Sequence, residues 1–217
     1  LNLSVLEQVD LPASPERRAN LPPPLLNGPL GGALRQAQPD GSVWAHQALA
    51  LEKLGAGANL VVATGTGSGK SLVFQYRALD LISRNEKARI IVFYPLKALA
   101  SDQFARWRDM CRRFGMSPDD VARIDGDVPT HERNEAMDRA NIVLMTPDVC
   151  QAWFMRNVGS GVMRRFLENL SLLVLDEAHV YESVFGSNVA FLLRRLISAK
   201  RHVSQTAASA ANFQVLP

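Results

Sequence analysis

Thr64-Gly65-Thr66-Gly67-Ser68-Gly69-Lys70-Ser71 is the stretch that decides the fold of this 217-residue chain. The apolar run Asn59-Leu60-Val61-Val62-Ala63 before it predicts a buried strand, and Leu72-Val73-Phe74-Gln75-Tyr76 after it predicts a helix. Strand, glycine loop and helix in that order make a phosphate-binding loop. Glycines let backbone N–H groups from Thr64, Gly65, Thr66, Gly67, Ser68 and Gly69 crowd around phosphate oxygens, and the following helix adds positive potential at its N-terminus. Lys70 is placed to reach the terminal phosphates and Ser71 to hold Mg²⁺. The strict pattern begins with Gly, and here that position is Thr64. Taken alone, the stretch also suits a plain strand-to-helix turn that contains Lys-Ser.

A second apolar run, Ser171-Leu172-Leu173-Val174-Leu175, predicts a parallel strand covered on both faces and ends in Asp176-Glu177-Ala178-His179. Ligands of open parallel sheets gather at the carboxyl ends of the strands, where a glycine loop also opens. Asp176 is therefore a candidate Mg²⁺ partner, and Glu177 a candidate for orienting and polarising the attacking water. Without the glycine loop, Asp176 would read as a helix cap.

Further strands are expected at 59–63, 89–94, 121–124, 141–145 and 171–175, and helices at 42–54, 70–83, 97–114, 148–156, 161–169 and 183–199. That alternation predicts an α/β fold, a mostly parallel sheet with helices on both faces. Prolines and glycines are dense from Leu11 to Pro39, so no regular helix is expected there, and residues 1–41 are expected to form a Pro/Gly-rich N-terminal extension ahead of one domain over 42–217.

Composition narrows the choices less. With 47% hydrophobic residues the chain can bury one substantial core. A net charge of +3 suits a phosphate-rich partner without demanding one. The 2 cysteines, Cys111 and Cys150, form no disulfide framework or zinc pattern and fit a reducing cytoplasm. No apolar run approaches the roughly 20 residues of a membrane span. Arg106, Arg108, Arg112 and Arg113 beside Trp107 could suggest a platform for stacking bases, but Phe104, Trp107 and Cys111 fall at core-like intervals, so an amphipathic helix is expected.

Trp44-Ala45-His46-Gln47, the glycine loop, Tyr94-Pro95-Leu96-Lys97-Ala98-Leu99-Ala100, Thr146-Pro147-Asp148 and Asp176-Glu177-Ala178-His179 occur in the order and spacing of superfamily 2 DEAD/DEAH-box helicases. The chain resembles the N-terminal RecA-like P-loop NTPase domain of that family along most of its length. Tyr-Pro-Leu-Lys-Ala-Leu-Ala, the Asp125-Gly126-Asp127 turn and the stretch Val180–Ala190 are similar, more narrowly, to DNA helicases with a C-terminal cysteine-rich zinc domain, the mitomycin-repair group.

The resemblance implies ATP and Mg²⁺ as cofactors, with Gln47 reading the adenine edge and His179 linking nucleotide state to the next motif. It implies single-stranded DNA bound through its phosphate backbone, DNA repair as the setting, and no membrane. Lys97, Ala98 and Thr146 are the phosphate-contact positions carried over, with Gly126 and Asp127 as a third contact loop, all on loops opposite those that hold nucleotide. Ala207–Ala211 suits a loop and Phe213–Leu216 a strand, after which the family places its Ser-Ala-Thr motif. The chain is thus expected to stop before that motif and before the second RecA-like domain, and to hydrolyse ATP very slowly alone. An RNA helicase, or an ATP-switched translocase subunit of a restriction or defence complex, shares the same core motifs.

Overall fold

The computed structural model describes residues 17–65, 67–207 and 214–216. The chain enters through β1 (Arg18–Asn20), which pairs antiparallel with β2 (Ser42–Trp44), with two short helices between them, α1 (Pro23–Leu26) and α2 (Gly31–Ala37). Helices α3 (Ala45–Gly55) and α4 (Lys70–Arg84) follow, then β3 (Arg89–Phe93), α5 (Lys97–Arg113), β4 (Val121–Arg123), α6 (Thr130–Arg139) and β5 (Ile142–Met145). The chain continues through α7 (Pro147–Val149), a wider π-type turn at Cys150–Phe154, α8 (Gly161–Asn169), β6 (Leu170–Leu175), α9 (Ser183–Ala207) and β7 (Gln214–Leu216).

The main sheet is parallel, in the order β4-β5-β3-β6-β7. Ile91 of β3 lies between Val143 and Leu173, and Phe93 between Met145 and Leu175. Alternation then sorts the side chains by face. Ile90, Val92, Ile142, Leu144, Leu172 and Val174 join α3, α4 and α5 in one core. Ile91, Phe93, Val143, Met145, Leu173 and Leu175 join α8 and α9 in the other. A helix layer on each face gives the expected α/β architecture.

Three expectations are corrected. Residues 59–63 form no strand: Leu60 and Val62 pack against the first core while Val61 stands 60% exposed. An apolar run fixes which side chains turn inward, but a ladder also needs a partner strand, and no described strand pairs with this segment. Helices do form between 11 and 39. Pro23 begins α1, where a missing N–H costs nothing, and Leu21, Leu25, Leu30 and Leu34 bury themselves in the first core. Arg84 of α4 donates to the Pro24 carbonyl at 2.8 Å and fastens this segment to the domain. The region 148–156 is split between α7 and the π-type turn.

The helix α6 went unpredicted because it buries only Met137 fully and so carries no apolar periodicity. The helices expected at 42–54, 70–83, 97–114 and 161–169 lie within a few residues of those bounds, whereas the one expected at 183–199 runs on to Ala207. The loop expected at Ala207–Ala211 falls mostly outside the described residues, and Ala207 itself closes α9. Among the described residues no helix is long and apolar enough to cross a membrane.

Candidate nucleotide site and nucleic-acid interface

Gly67 (φ 76°) and Gly69 (φ 77°) take left-handed backbone conformations that only glycine adopts without strain, and they turn the chain into α4. Lys70 is the first residue of that helix, and its ammonium donates to the Thr64 carbonyl at 2.7 Å. The hydroxyls of Thr64 and Ser68 lie 2.6 Å apart in a hydrogen bond across the loop. Glycine at position 64 could not make that bond, so the departure from the strict pattern has a structural use. Ser71 sits one residue inside α4 and borders a groove with Gln75 and Arg106. Thr66 lies outside the described residues.

Gln47 is 3% exposed and holds the loop from behind. Its Nε2 donates to the Gly69 carbonyl at 2.9 Å, while its Oε1 accepts from the Trp44 backbone N–H at 3.0 Å. Both ends of the amide are thus engaged within the protein. A Cβ placed on Gly69 would sit 2.5 Å from Gln47 Nε2 and would push that amide off the Gly69 carbonyl. His46, which sequence reasoning did not single out, places Nε2 3.1 Å from the Ser68 carbonyl. Its position next to Gln47 in a helix-opening turn was the available signal.

Asp176 follows β6 and is secured by its neighbours. Its backbone N–H donates to the Phe93 carbonyl of β3 at 3.0 Å, and its Oδ1 accepts from the Glu177 N–H at 3.0 Å. Burial pushes its carboxyl pKa up, the Glu177 N–H bond opposes that rise, the Glu177 charge adds to it, and the Lys70 cation draws it down. Helix α4 packs on β6. The glycine loop and the acidic pair therefore lie close enough for Lys70 and Asp176 to interact.

Glu177 adopts φ 53° and ψ 46°, a left-handed conformation that costs energy for a residue with a Cβ. Its Oε2 lies 3.4 Å from His179 Nδ1, an ion pair only when the imidazole is protonated. Tyr181, after the following turn of 3₁₀ helix, sets its ring 5.4 Å from that of Phe185 at a tilt of 51°.

The second set of candidate residues lies elsewhere on the same edge. Because the strands are parallel, the loops after β3, β4 and β5 open at the same carboxyl edge as the loop after β6. Lys97, Gly126, Asp127 and Thr146 are accordingly displaced along that edge from Asp176. The expectation that they sit opposite the nucleotide loops is corrected by the parallel sheet order.

Lys97 opens α5 and pairs its ammonium with Asp127, with Asp125 Oδ1 4.0 Å away. Ala98 is exposed beside it. Thr146 caps α7, accepting the Val149 N–H at 3.4 Å. The Gly126 carbonyl accepts from Arg133 Nη2 at 3.0 Å. Arg123, absent from the sequence-based set, lies 3.1 Å from Asp125 as an ion pair and also donates to Ser101 of α5. Trp107 is fully buried, its Nε1 donating to Tyr94 Oη at 3.1 Å, so it offers no face to a base.

Comparison with known proteins agrees with this geometry. The family model described as DEAD/DEAH box helicase matches residues 44–215. The ATP-dependent helicase HRQ1 of Saccharomyces cerevisiae is 34% identical over 155 residues, covering 71% of this chain and 14% of that protein. The uncharacterized ATP-dependent helicase YprA of Bacillus subtilis is 32% identical over 154 residues, covering 71% of this chain and 20% of that protein. A crystal structure of the DUF1998 helicase MrfA bound to DNA and AMPPNP superposes with TM-score 0.80 at 26% identity, over 92% of this chain and 27% of that one. This chain thus spans about a quarter or less of the proteins it matches here.

Proposed function

The chain belongs to the DEAD/DEAH box helicase family, and on that footing we propose that it is the first motor domain of an ATP-dependent DNA helicase or translocase. The observation that supports this reading is the glycine loop whose Gly67 and Gly69 turn left-handed into α4, with Lys70 as the first residue of a helix packed on β6, the strand that ends just before Asp176. The hydroxyl of Ser71 and the carboxylate of Asp176 are hard oxygen donors, the kind Mg²⁺ prefers, and would hold it alongside the phosphates. Bound there, the cation neutralises charge developing on the transferred phosphoryl group.

Each residue then has a task. Lys70 leaves the Thr64 carbonyl to meet the β- and γ-phosphates. Thr64, Gly65, Thr66, Gly67, Ser68 and Gly69 supply the cradle, which Gln47 braces from beneath in addition to any adenine contact. Glu177 orients the attacking water, and His179 beside it passes nucleotide state onward. A second RecA-like domain, carried by a longer chain, supplies the groups that complete the transition state. An arginine finger is worth on the order of 10³ to 10⁵ in rate in related systems.

Lys97, Ala98, Gly126 and Thr146 give a surface of lysine, backbone and hydroxyl groups suited to phosphates and indifferent to base identity. DNA is favoured over RNA because the MrfA structure, with the same fold and 26% identity, holds DNA. The Cys111 and Cys150 thiols are both free and buried, which fits work in a reducing cytoplasm. Strand displacement by a chain carrying both motor domains, compared on single-strand-tailed DNA and RNA duplexes with ATP, tests the reading. ATP-dependent unwinding of DNA is expected; unwinding of RNA alone would favour the RNA helicase, and unwinding of neither would leave a translocase or switch.

A further inference from the structure

We infer that Asp127 is a built-in competitor for the nucleic-acid phosphate at Lys97, occupying the cation that a backbone phosphate takes, so that a single strand binds by displacing it. This rests on the nucleic-acid reading above. The Lys97 ammonium, which opens α5 in the motif-bearing loop, is bonded to Asp127 Oδ2. A carboxylate seated on a lysine offers the same hard anionic oxygens as a phosphodiester. The Asp127 carboxylate, being negative, would repel a phosphate, and the Asp127 N–H is already held by Asp125 Oδ1 at 3.0 Å.

The turn that carries Asp127 is prefabricated. Asp125 is buried, accepts the Asp127 backbone N–H at 3.0 Å and lies 3.1 Å from Arg123 Nε. Arg123 in turn donates to Ser101 on α5, one turn after Lys97, which ties the turn to the helix bearing the lysine. Anchored at Asp125, the turn carries Asp127 to Lys97 without help from Asp127's own side chain.

The pair at the tip contrasts with that anchor. The Asp127 side chain is 80% exposed and that of Lys97 46% exposed. The hydrogen bond from Lys97, followed by the lysine charge, holds the Asp127 carboxyl below the usual carboxylate range. Exposed ion pairs contribute little in water, so this one can be exchanged for a polyanion that offers several contacts at once. A removable competitor sets a threshold: isolated phosphates lose to Asp127, whereas a strand that also engages Thr146 and the amide at Ala98 wins.

The test is binding of a fluorescein-labelled oligo-dT to the 217-residue chain at low salt, followed by anisotropy, for wild type, Asp127→Asn, Lys97→Ala and the double variant. Asp127→Asn is expected to tighten binding about two- to fivefold, and that gain is expected to vanish when Lys97 is already Ala. An equal gain in both backgrounds would show a diffuse charge effect and overturn the proposal, as would no gain in either. If Lys97→Ala binds as well as wild type, the phosphate reading of Lys97 fails instead, and the competitor with it.

Discussion

Lys70 Nζ donates to the Thr64 carbonyl at 2.7 Å, so the cation suited to a terminal phosphate rests on its own loop. Lys70→Ala removes a charge-assisted bond to nucleotide but only an internal bond to a solvent-facing loop. The expected outcome is Mg-ATP affinity reduced about 10- to 100-fold with a thermal midpoint close to wild type. Titration calorimetry and thermal unfolding check the two halves, and unchanged affinity would contradict the phosphate role.

Glu177 carries its carboxylate on a left-handed backbone. Glu177→Gly is expected to raise stability by about 1 kcal/mol, since glycine pays no steric penalty there. Glu177→Gln keeps the backbone and the nucleotide affinity but is expected to lower turnover of a two-domain enzyme by about 10²-fold or more. Urea midpoints and steady-state ATPase separate strain from chemistry, and full turnover with Gln would remove this residue from catalysis.

Gln47 joins Trp44 to Gly69 through one buried amide. Gln47→Ala leaves the Trp44 N–H without its side-chain partner and frees the glycine loop. A loss of about 2 kcal/mol is expected, with weaker nucleotide binding as a second effect. Wild-type stability in a chemical denaturation curve would show that the brace is dispensable.

Lys200 is buried, and its ammonium donates to the Glu168 carbonyl at 2.7 Å. Burial lowers its pKa, opposed by the Glu168 charge. Between the lowered folded value and the ordinary lysine value the unfolded chain binds more protons, so stability rises with pH across that window. Below the window the full cost of a buried charge remains. Lys200→Met is expected to match or exceed wild-type stability near neutrality, by about 1 kcal/mol, and to lose the alkaline rise. Urea titrations at neutral and alkaline pH would refute this if both proteins rose equally.

Cys111 is buried and its thiol is pushed up to about 12 by burial; Cys150 is shifted upward for the same reason. Neither should react with Ellman's reagent near pH 8 in the native state, and both should react in denaturant. Rapid labelling without denaturant would show that the two cores open locally.

Much of this was written in local pattern. The glycine loop, the strand ending at Leu175 and the amphipathic spacing of Trp107 and Cys111 each announce themselves within a dozen residues, because burial on two faces or one stripe leaves a periodic trace. Three features leave no such trace. Helix α6 is almost wholly polar; the helices around Pro23 and Leu34 bury their leucines in a core shared with distant elements, and Arg84 of α4 ties down the first; and residues 59–63 have the composition of a strand without a described partner. The grip of Asp127 on Lys97 joins loops 30 residues apart, beyond the reach of any short window.

The bond from the Asp176 N–H to the Phe93 carbonyl gives β3 a double load. The last residue of that strand carries the acid beside the glycine loop, and the chain leaving it reaches Lys97 within a single short turn. A shift of this strand by a fraction of an ångström would therefore move both candidate sites at once, as a common axle turns two wheels.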